Sequence, residues 1–218
     1  MAPKINTALF LAFVLSSLAG RGFAADSATP APASESNATV AAKSTKTVNP
    51  DTTFDRARFD AEVTHSKDLP NFHEVHSFLY RSGEPTKLGL EKAKAKGIRT
   101  LIDLRGGDRS KQEAEWAKEL GLKYINLPMT AEPPTPKQID TFMSTVKAAE
   151  ANPKDGSVLV HCAHGSDRTG CMVGIWRVRQ DHWDYDKTYT EMRHYWFTPK
   201  FTKLSGTVKK FAYESAHR

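Results

Sequence analysis

Val160-His161-Cys162-Ala163-His164-Gly165-Ser166-Asp167-Arg168-Thr169-Gly170 sets one cysteine six positions ahead of one arginine. A histidine stands before the cysteine and a hydroxyl residue after the arginine. An apolar run from Ser157 to Val160 leads in, and an apolar periodic segment from Cys171 to Val178 leads out. The order is therefore strand, tight loop, helix. Such a loop lies where backbone N–H groups converge at a helix N-terminus, and that place binds anions, phosphate above all.

Working outward, the same alternation recurs. Ile98 to Leu104 is a buried strand by its apolar run, and Lys123 to Leu127 is a second short one. Asn71 to Tyr80 carries Phe72, Val75, Phe78, Leu79 and Tyr80, enough for one or two short strands. Between them, Glu84-Pro85-Thr86 opens a helix that Gly97 stops, and Ser110 with Glu113 has capping-box spacing ahead of a helix through Leu120. Thr135-Pro136-Lys137-Gln138 combines an N-cap, a proline at the first helical position and a capping-box glutamine. Ile139, Phe142, Val146 and Ala149 give that helix its apolar stripe. A helix from Gly170 to Gln180 follows the opening loop, Asp184 caps another, and Phe201, Leu204, Val208 and Phe211 mark the last. Strands alternating with helices predict an α/β domain with a central, mostly parallel sheet covered by helices on both faces.

The chain has 218 residues, room for one ordinary domain with extensions. Met1 to Ala24 reads as a secretory signal. Lys4 gives the charged start, Ala8 to Leu18 the apolar centre and Gly22-Phe23-Ala24 a small-residue cleavage site. The rival reading is an uncleaved membrane anchor, for which the apolar run is short. Residues 25–53, rich in Ala, Ser, Thr and Pro, read as a disordered linker, and 54–218 as the folded domain. The expectation is an exported protein, periplasmic or secreted, with no stable membrane insertion after cleavage. The formal charge of +6 falls to +4 without Lys4 and Arg21. That mild excess suits a phosphorylated protein or a small phosphorylated substrate, and no basic stripe with interleaved aromatics points to nucleic acid. The two cysteines, Cys162 and Cys171, sit in a loop and in the helix beyond it, a poor geometry for a disulfide. Cys171 reads as a small core residue.

The chemistry of the loop follows from its residue types. A thiolate attacks where a thiol does not, and a helix N-terminus with a nearby arginine favours the anion. The same donors would hold the non-bridging oxygens of a phosphate. Arg168 can grip two of them at once, as lysine cannot. Gly165 permits a close backbone approach, Thr169 can donate its hydroxyl to the cysteine sulfur, and His161 can order the loop backbone through its imidazole. Nucleophile, anion cradle and charge clamp in one segment describe phosphoryl transfer through a covalent intermediate.

The residues HCAHGSDRTG resemble the His-Cys-x5-Arg-Thr/Ser signature of cysteine-dependent protein tyrosine phosphatases. NFHEVHSFLYRSGEPT, GIRTLIDLRG and YINLPM are similar to segments of compact dual-specificity members, both exported bacterial ones and a plant and fungal subgroup. The resemblance runs from about Asn71 to Phe211. It implies a tyrosine-phosphatase-like fold with Cys162 as nucleophile, Arg168 as transition-state clamp and Thr169 assisting the second step. The amides of Ala163, His164, Gly165, Ser166, Asp167 and Arg168 would form the phosphate cradle. The family's general acid is usually an aspartate on a loop some thirty residues before the cysteine. Here that loop reads LPMTAEPPTP, and its one carboxylate, Glu132, takes the role. Asp167 is the rival, as in myotubularin-like loops, with a loop-ordering carboxylate as its plainer reading. Asp103 and Asp108 are further candidates. Inositol polyphosphates are a second substrate class for such a domain, and a catalytically silent phosphate-binding module is a reading of another kind. No cofactor is implied, and the histidines outside the loop show no metal-ligand spacing.

Overall fold

The structure, a computed structural model, describes residues 66–217. The expected leader 1–24, the linker 25–53 and the domain start near Phe54 lie outside the described residues. Five strands form one sheet: β1 (His73–His76), β2 (Leu79–Ser82), β3 (Ile98–Asp103), β4 (Lys123–Asn126) and β5 (Ser157–His161), in the order β1-β2-β5-β3-β4. β1 pairs antiparallel with β2, while β2–β5, β5–β3 and β3–β4 are parallel. The sheet is thus mixed, with a parallel body and one antiparallel edge.

Among the described residues, six α-helices accompany it: α1 (Lys87–Ala95), α2 (Asp108–Glu119), α3 (Pro136–Ala151), α4 (Asp167–Arg179), α5 (Tyr185–His194) and α6 (Thr202–Ala216). Period-two alternation in the strands sends side chains to two separate cores. Val158 and Val160 of β5 join Leu79 and Ile102 in a core with Phe142, Ile175, Trp176, Leu204 and Val208 from α3, α4 and α6. Leu159, between them, joins Tyr80, Ile98 and Leu101 in a smaller core with Leu90 and Ala93 of α1 and Ala117 of α2. Helices therefore cover both faces.

Local sequence accounts for three of the six helix starts. Thr135 caps α3 with the full reciprocal capping box to Gln138, and Pro136 takes the first helical position. Thr86 caps α1 by accepting from Gly89 N, and Asp184 caps α5 by accepting from Lys187 N. Two expectations need correction. The helix after the loop starts at Asp167, three residues before Gly170, so Arg168 and Thr169 lie in its first turn. The Ser110–Glu113 capping box does not form: α2 begins at Asp108 behind Gly107, with no side-chain cap. Glu113 is buried and turned inward to ion partners, which outweigh a surface cap.

α4 is the central helix. Nine of its residues are buried, so it carries no polar face like that of a surface helix. Gly174 makes this possible, because a Cβ there would meet Val208 Cγ2 at 3.1 Å and Met192 Sδ at 3.3 Å. α5 and α6 thus approach α4 at close range. Cys171 is fully buried, and burial pushes its thiol up to about 12. Both cysteines are free, as their spacing suggests.

Parallel pairing has one consequence for function. β2, β3, β4 and β5 run in the same direction, so residues 83–86, 104–107, 127–135 and 162–166 all leave from one edge of the sheet. Ligands in such sheets bind at the carboxyl ends of the strands.

Candidate active site

β5 is the middle strand, and Cys162 follows it directly at the top of the sheet, 2% exposed. Gly165 N–H donates to Cys162 Sγ at 3.3 Å, so the loop folds back over its own sulfur. That turn requires Gly165 to sit at φ +74°. A Cβ at this position would lie 2.5 Å from the Ser82 carbonyl carbon and 2.6 Å from Gly83 N. No other residue type fits there.

The loop carbonyls are accounted for one by one. Ala163 O accepts from Glu84 N at 3.1 Å, His164 O from Asn71 Nδ2 at 3.1 Å and Gly165 O from Arg81 Nη2 at 2.8 Å. Three consecutive carbonyls are therefore turned outward and pinned by the segment from Asn71 to Glu84. Asn71, Arg81 and Glu84 belong to no motif that assigns them a role, although all three lie in the stretch NFHEVHSFLYRSGEPT that carries part of the resemblance. The signal that finds them is the register of β2 on β5, Arg81 beside Val160 and Ser82 beside His161.

Arg168, in the first turn of α4, donates from Nη1 to Leu104 O at 3.2 Å and reaches Met129 O at 3.4 Å. Its guanidinium is thus held between the ends of the loops that follow β3 and β4. Thr169 is wholly buried, and its hydroxyl has no partner among the described residues. Asp167 Oδ1 accepts from Thr198 N at 2.7 Å, tying α4 to the turn between α5 and α6. Burial raises its carboxyl above the ordinary value, against the lowering effects of Thr198, His164 and Arg168. His164 is exposed at the rim.

Glu132 stands apart. Its side chain is 62% exposed, and both carboxylate oxygens pair with Lys203 Nζ of α6, at 2.6 and 2.8 Å. Its loop nevertheless reaches the site, through Met129 and Arg168.

His161 is placed differently from the expectation. Its imidazole bonds Glu113 Oε1 of α2 at 2.7 Å from Nε2 and faces Asp103 Oδ1 at 3.9 Å from Nδ1, not the loop backbone. Its backbone carbonyl accepts from Leu104 N. Asp103, Glu113 and His161 converge closely enough to resemble a metal site. Arg105 fills that place instead: its Nε donates to Asp103 Oδ1 at 2.9 Å, and its Nη2 to Asp103 Oδ2 at 3.0 Å and to Glu113. A guanidinium among the carboxylates supplies the charge a metal ion would bring. Burial tends to raise the Asp103 carboxyl, yet the Arg105 hydrogen bonds and the His161 charge hold it well below the carboxylate range. Asp108, the remaining candidate carboxylate, is exposed and pairs with Lys111.

A buried cysteine between a central parallel strand and a helix N-terminus, with the loop carbonyls turned away and an arginine in the helix's first turn, defines an anion-binding α/β domain of the cysteine-phosphatase kind. The family described as PTP-NADK, DSP-PTPase phosphatase fused to NAD+ kinase, matches residues 53–208, and the chain belongs to it. Among curated relatives, the dual specificity protein phosphatase TpbA of Pseudomonas aeruginosa is 26% identical over 125 residues, 57% of this chain and 54% of that protein. The inositol diphosphatase SIW14 of Saccharomyces cerevisiae is 30% identical over 140 residues, 62% of this chain and 48% of that protein. The chain thus spans about half the length of the curated relatives it matches. The crystal structure of P. aeruginosa TpbA superposes with a TM-score of 0.56 at 22% identity, covering 67% of this chain and 91% of that one. That of PTPMT1 gives 0.53 at 18% identity, covering 67% and 99%. These likenesses establish the fold.

Proposed function

We propose that the domain is a cysteine-dependent phosphatase that hydrolyses phosphomonoesters through a phosphocysteine intermediate. One observation carries the reading: the carbonyls of Ala163, His164 and Gly165 are all pinned outward, which leaves the loop amides to face an anion. Cys162 Sγ attacks phosphorus, the ester oxygen departs with the bonding pair, and a carboxyl group gives it a proton. Water then attacks the phosphocysteine, the S–P bond breaks, the carboxylate takes the water's proton, and inorganic phosphate leaves. Arg168 pairs with two non-bridging oxygens as charge spreads over them. The free hydroxyl of Thr169 assists departure of the sulfur.

Glu132 is the proposed proton donor, on the loop that touches Arg168. Asp167 is a second reading with its own support: it is a half-buried carboxyl in the first turn of α4 beside Arg168, and burial raises it toward the protonated form a donor needs.

Phosphotyrosine, and phosphoserine or phosphothreonine, on proteins are the proposed substrates, following TpbA, one structure of which is a complex with phosphotyrosine. Inositol pyrophosphates are the alternative, following the relatives named inositol diphosphatase. A hollow of about 460 Å³ shares Asn71 with the loop's outer side, and its Lys92 and Lys96, set among Leu69, Phe72, Tyr195 and Trp196, favour a polyanion there. Comparing kcat/KM on a phosphotyrosine peptide and on an inositol pyrophosphate decides between them. Export belongs to the same proposal, and N-terminal sequencing of the mature protein tests it, since cleavage after Ala24 leaves Ala25 first. For the chemistry, turnover of para-nitrophenyl phosphate by wild type and Cys162→Ser is the test. A loss of about a thousandfold or more is expected; unchanged turnover rejects the mechanism.

A further inference from the structure

Of the three donors that pin the loop, two are neutral amides and one is a cation. Arg81 lies in β2 with no exposed surface. Its Nη2 donates to Gly165 O, while Nε and Nη1 have no hydrogen-bond partner among the described residues. No carboxylate there makes an ion pair with it. Its guanidinium lies 4.3 Å from the centroid of the Tyr195 ring, a cation–π contact that satisfies no donor. Burial brings its value down to about 10, and the charges of Glu191, Tyr195 and Cys162 oppose that fall, so it remains a cation at neutral pH. Arg177 of α4 faces it as well, with a like charge.

A buried, unpaired cation destabilises a fold unless something compensates it. Glu191 and the Tyr195 ring offset part of that cost without a hydrogen bond to Nε or Nη1, and a neutral donor would hold Gly165 O as well. An anion above the loop offsets the rest. Donation to Gly165 O polarises the peptide unit whose N–H belongs to Ser166, the residue just ahead of α4. The charge itself lies beneath a loop that carries a cysteine sulfur and, on the reading above, a phosphate dianion.

We propose that Arg81 is a positioning residue and the buried counter-charge of the anion site: it fixes the left-handed turn at Gly165 and supplies, from below, the second positive charge of the cradle. Arg168 answers the transferring phosphoryl group from the rim, and Arg81 answers the summed negative charge of thiolate and phosphate from the floor. The inference rests on the reading of the loop as a phosphate cradle.

Two substitutions separate charge from scaffold. Arg81→Gln keeps a donor for Gly165 O and removes the charge; Arg81→Lys keeps the charge and removes the fork. Each is compared with wild type in kcat and KM on para-nitrophenyl phosphate, in the inhibition constant for vanadate, and in melting temperature. Wild type must first turn over substrate and bind vanadate; if it does neither, the reading of the loop fails and this inference falls with it. With wild type active, Arg81→Gln is expected to weaken vanadate binding and lower kcat/KM by about tenfold or more, and Arg81→Lys to recover most of that loss. Inhibition and turnover within twofold of wild type in Arg81→Gln would overturn the proposal, whatever its melting temperature. So would equal losses in the two variants. Should Arg81→Gln not fold, Arg81→Lys decides: vanadate affinity within about threefold of wild type supports a charge role, and a loss as large as that in Arg168→Ala refutes it.

Discussion

Single residues decide the chemistry, and their substitutions separate the roles. Gly165 is the least replaceable. Alanine there would carry a side chain into the left-handed region, about 1 kcal/mol or more of strain, and press its Cβ onto the Ser82–Gly83 backbone. Gly165→Ala is expected to lose about a hundredfold or more in kcat/KM with a modest fall in melting temperature, because the loop can shift only by abandoning its cradle; steady-state assays beside a thermal melt check this. The proton donor is a comparison between two carboxylates. Glu132→Gln should slow phenyl phosphate, whose leaving group needs a proton, about tenfold or more, and para-nitrophenyl phosphate much less. If Asp167→Asn shows that pattern and Glu132→Gln does not, the assignment moves to Asp167. The sequence singles out Cys162, Arg168 and Thr169 as candidates because the proposed chemistry is contiguous there. It concealed Asn71, Arg81 and Glu84, whose role arises only when β2 pairs with β5 some 80 positions away.

At the scale of elements, capping and close packing were readable to different degrees. The Thr135–Gln138 box was legible because all its parts are local, and it forms as spelled. Thr135→Ala is expected to destabilise the domain by about 1 kcal/mol, read from the urea midpoint with the slope unchanged. The Ser110–Glu113 spacing spelled the same motif and gave none, because Glu113 has stronger partners in Arg105 and His161. A local pattern yields to a buried charge network, and sequence spacing does not show which will win. The packing of α4 was equally hidden. Gly174 looked like any helical glycine, yet α5 and α6 pack against its bare Cα. Gly174→Ala would gain helix propensity but is expected to cost a net of about 1–3 kcal/mol by overpacking against Val208 and Met192.

For the whole molecule, the alternation of strands and helices made the layered α/β architecture legible, whereas strand order and the antiparallel edge come from long-range pairing. The same long-range assembly creates the pH response. Asp103 is buried with its carboxyl held below the ordinary range by Arg105 and His161, so the unfolded chain takes up the proton first. Its stabilising contribution is therefore complete above the unfolded value of about 4 and is lost as pH falls below that. Urea midpoints measured from pH 6 to pH 3 should drop more steeply in wild type than in Asp103→Asn; parallel profiles would show that the network does not set acid stability. On the proposed mechanism this fold holds a phosphate over Cys162 and transfers the phosphoryl group to its sulfur. Rapid acid quench during turnover of a 32P-labelled aryl phosphate is the decisive measurement. Label is expected on the peptide containing Cys162, accumulating further in Thr169→Ala, where the sulfur departs more slowly, and absent from Cys162→Ser. Turnover with no labelled cysteine in either wild type or Thr169→Ala, or label unaffected by Cys162→Ser, would contradict it.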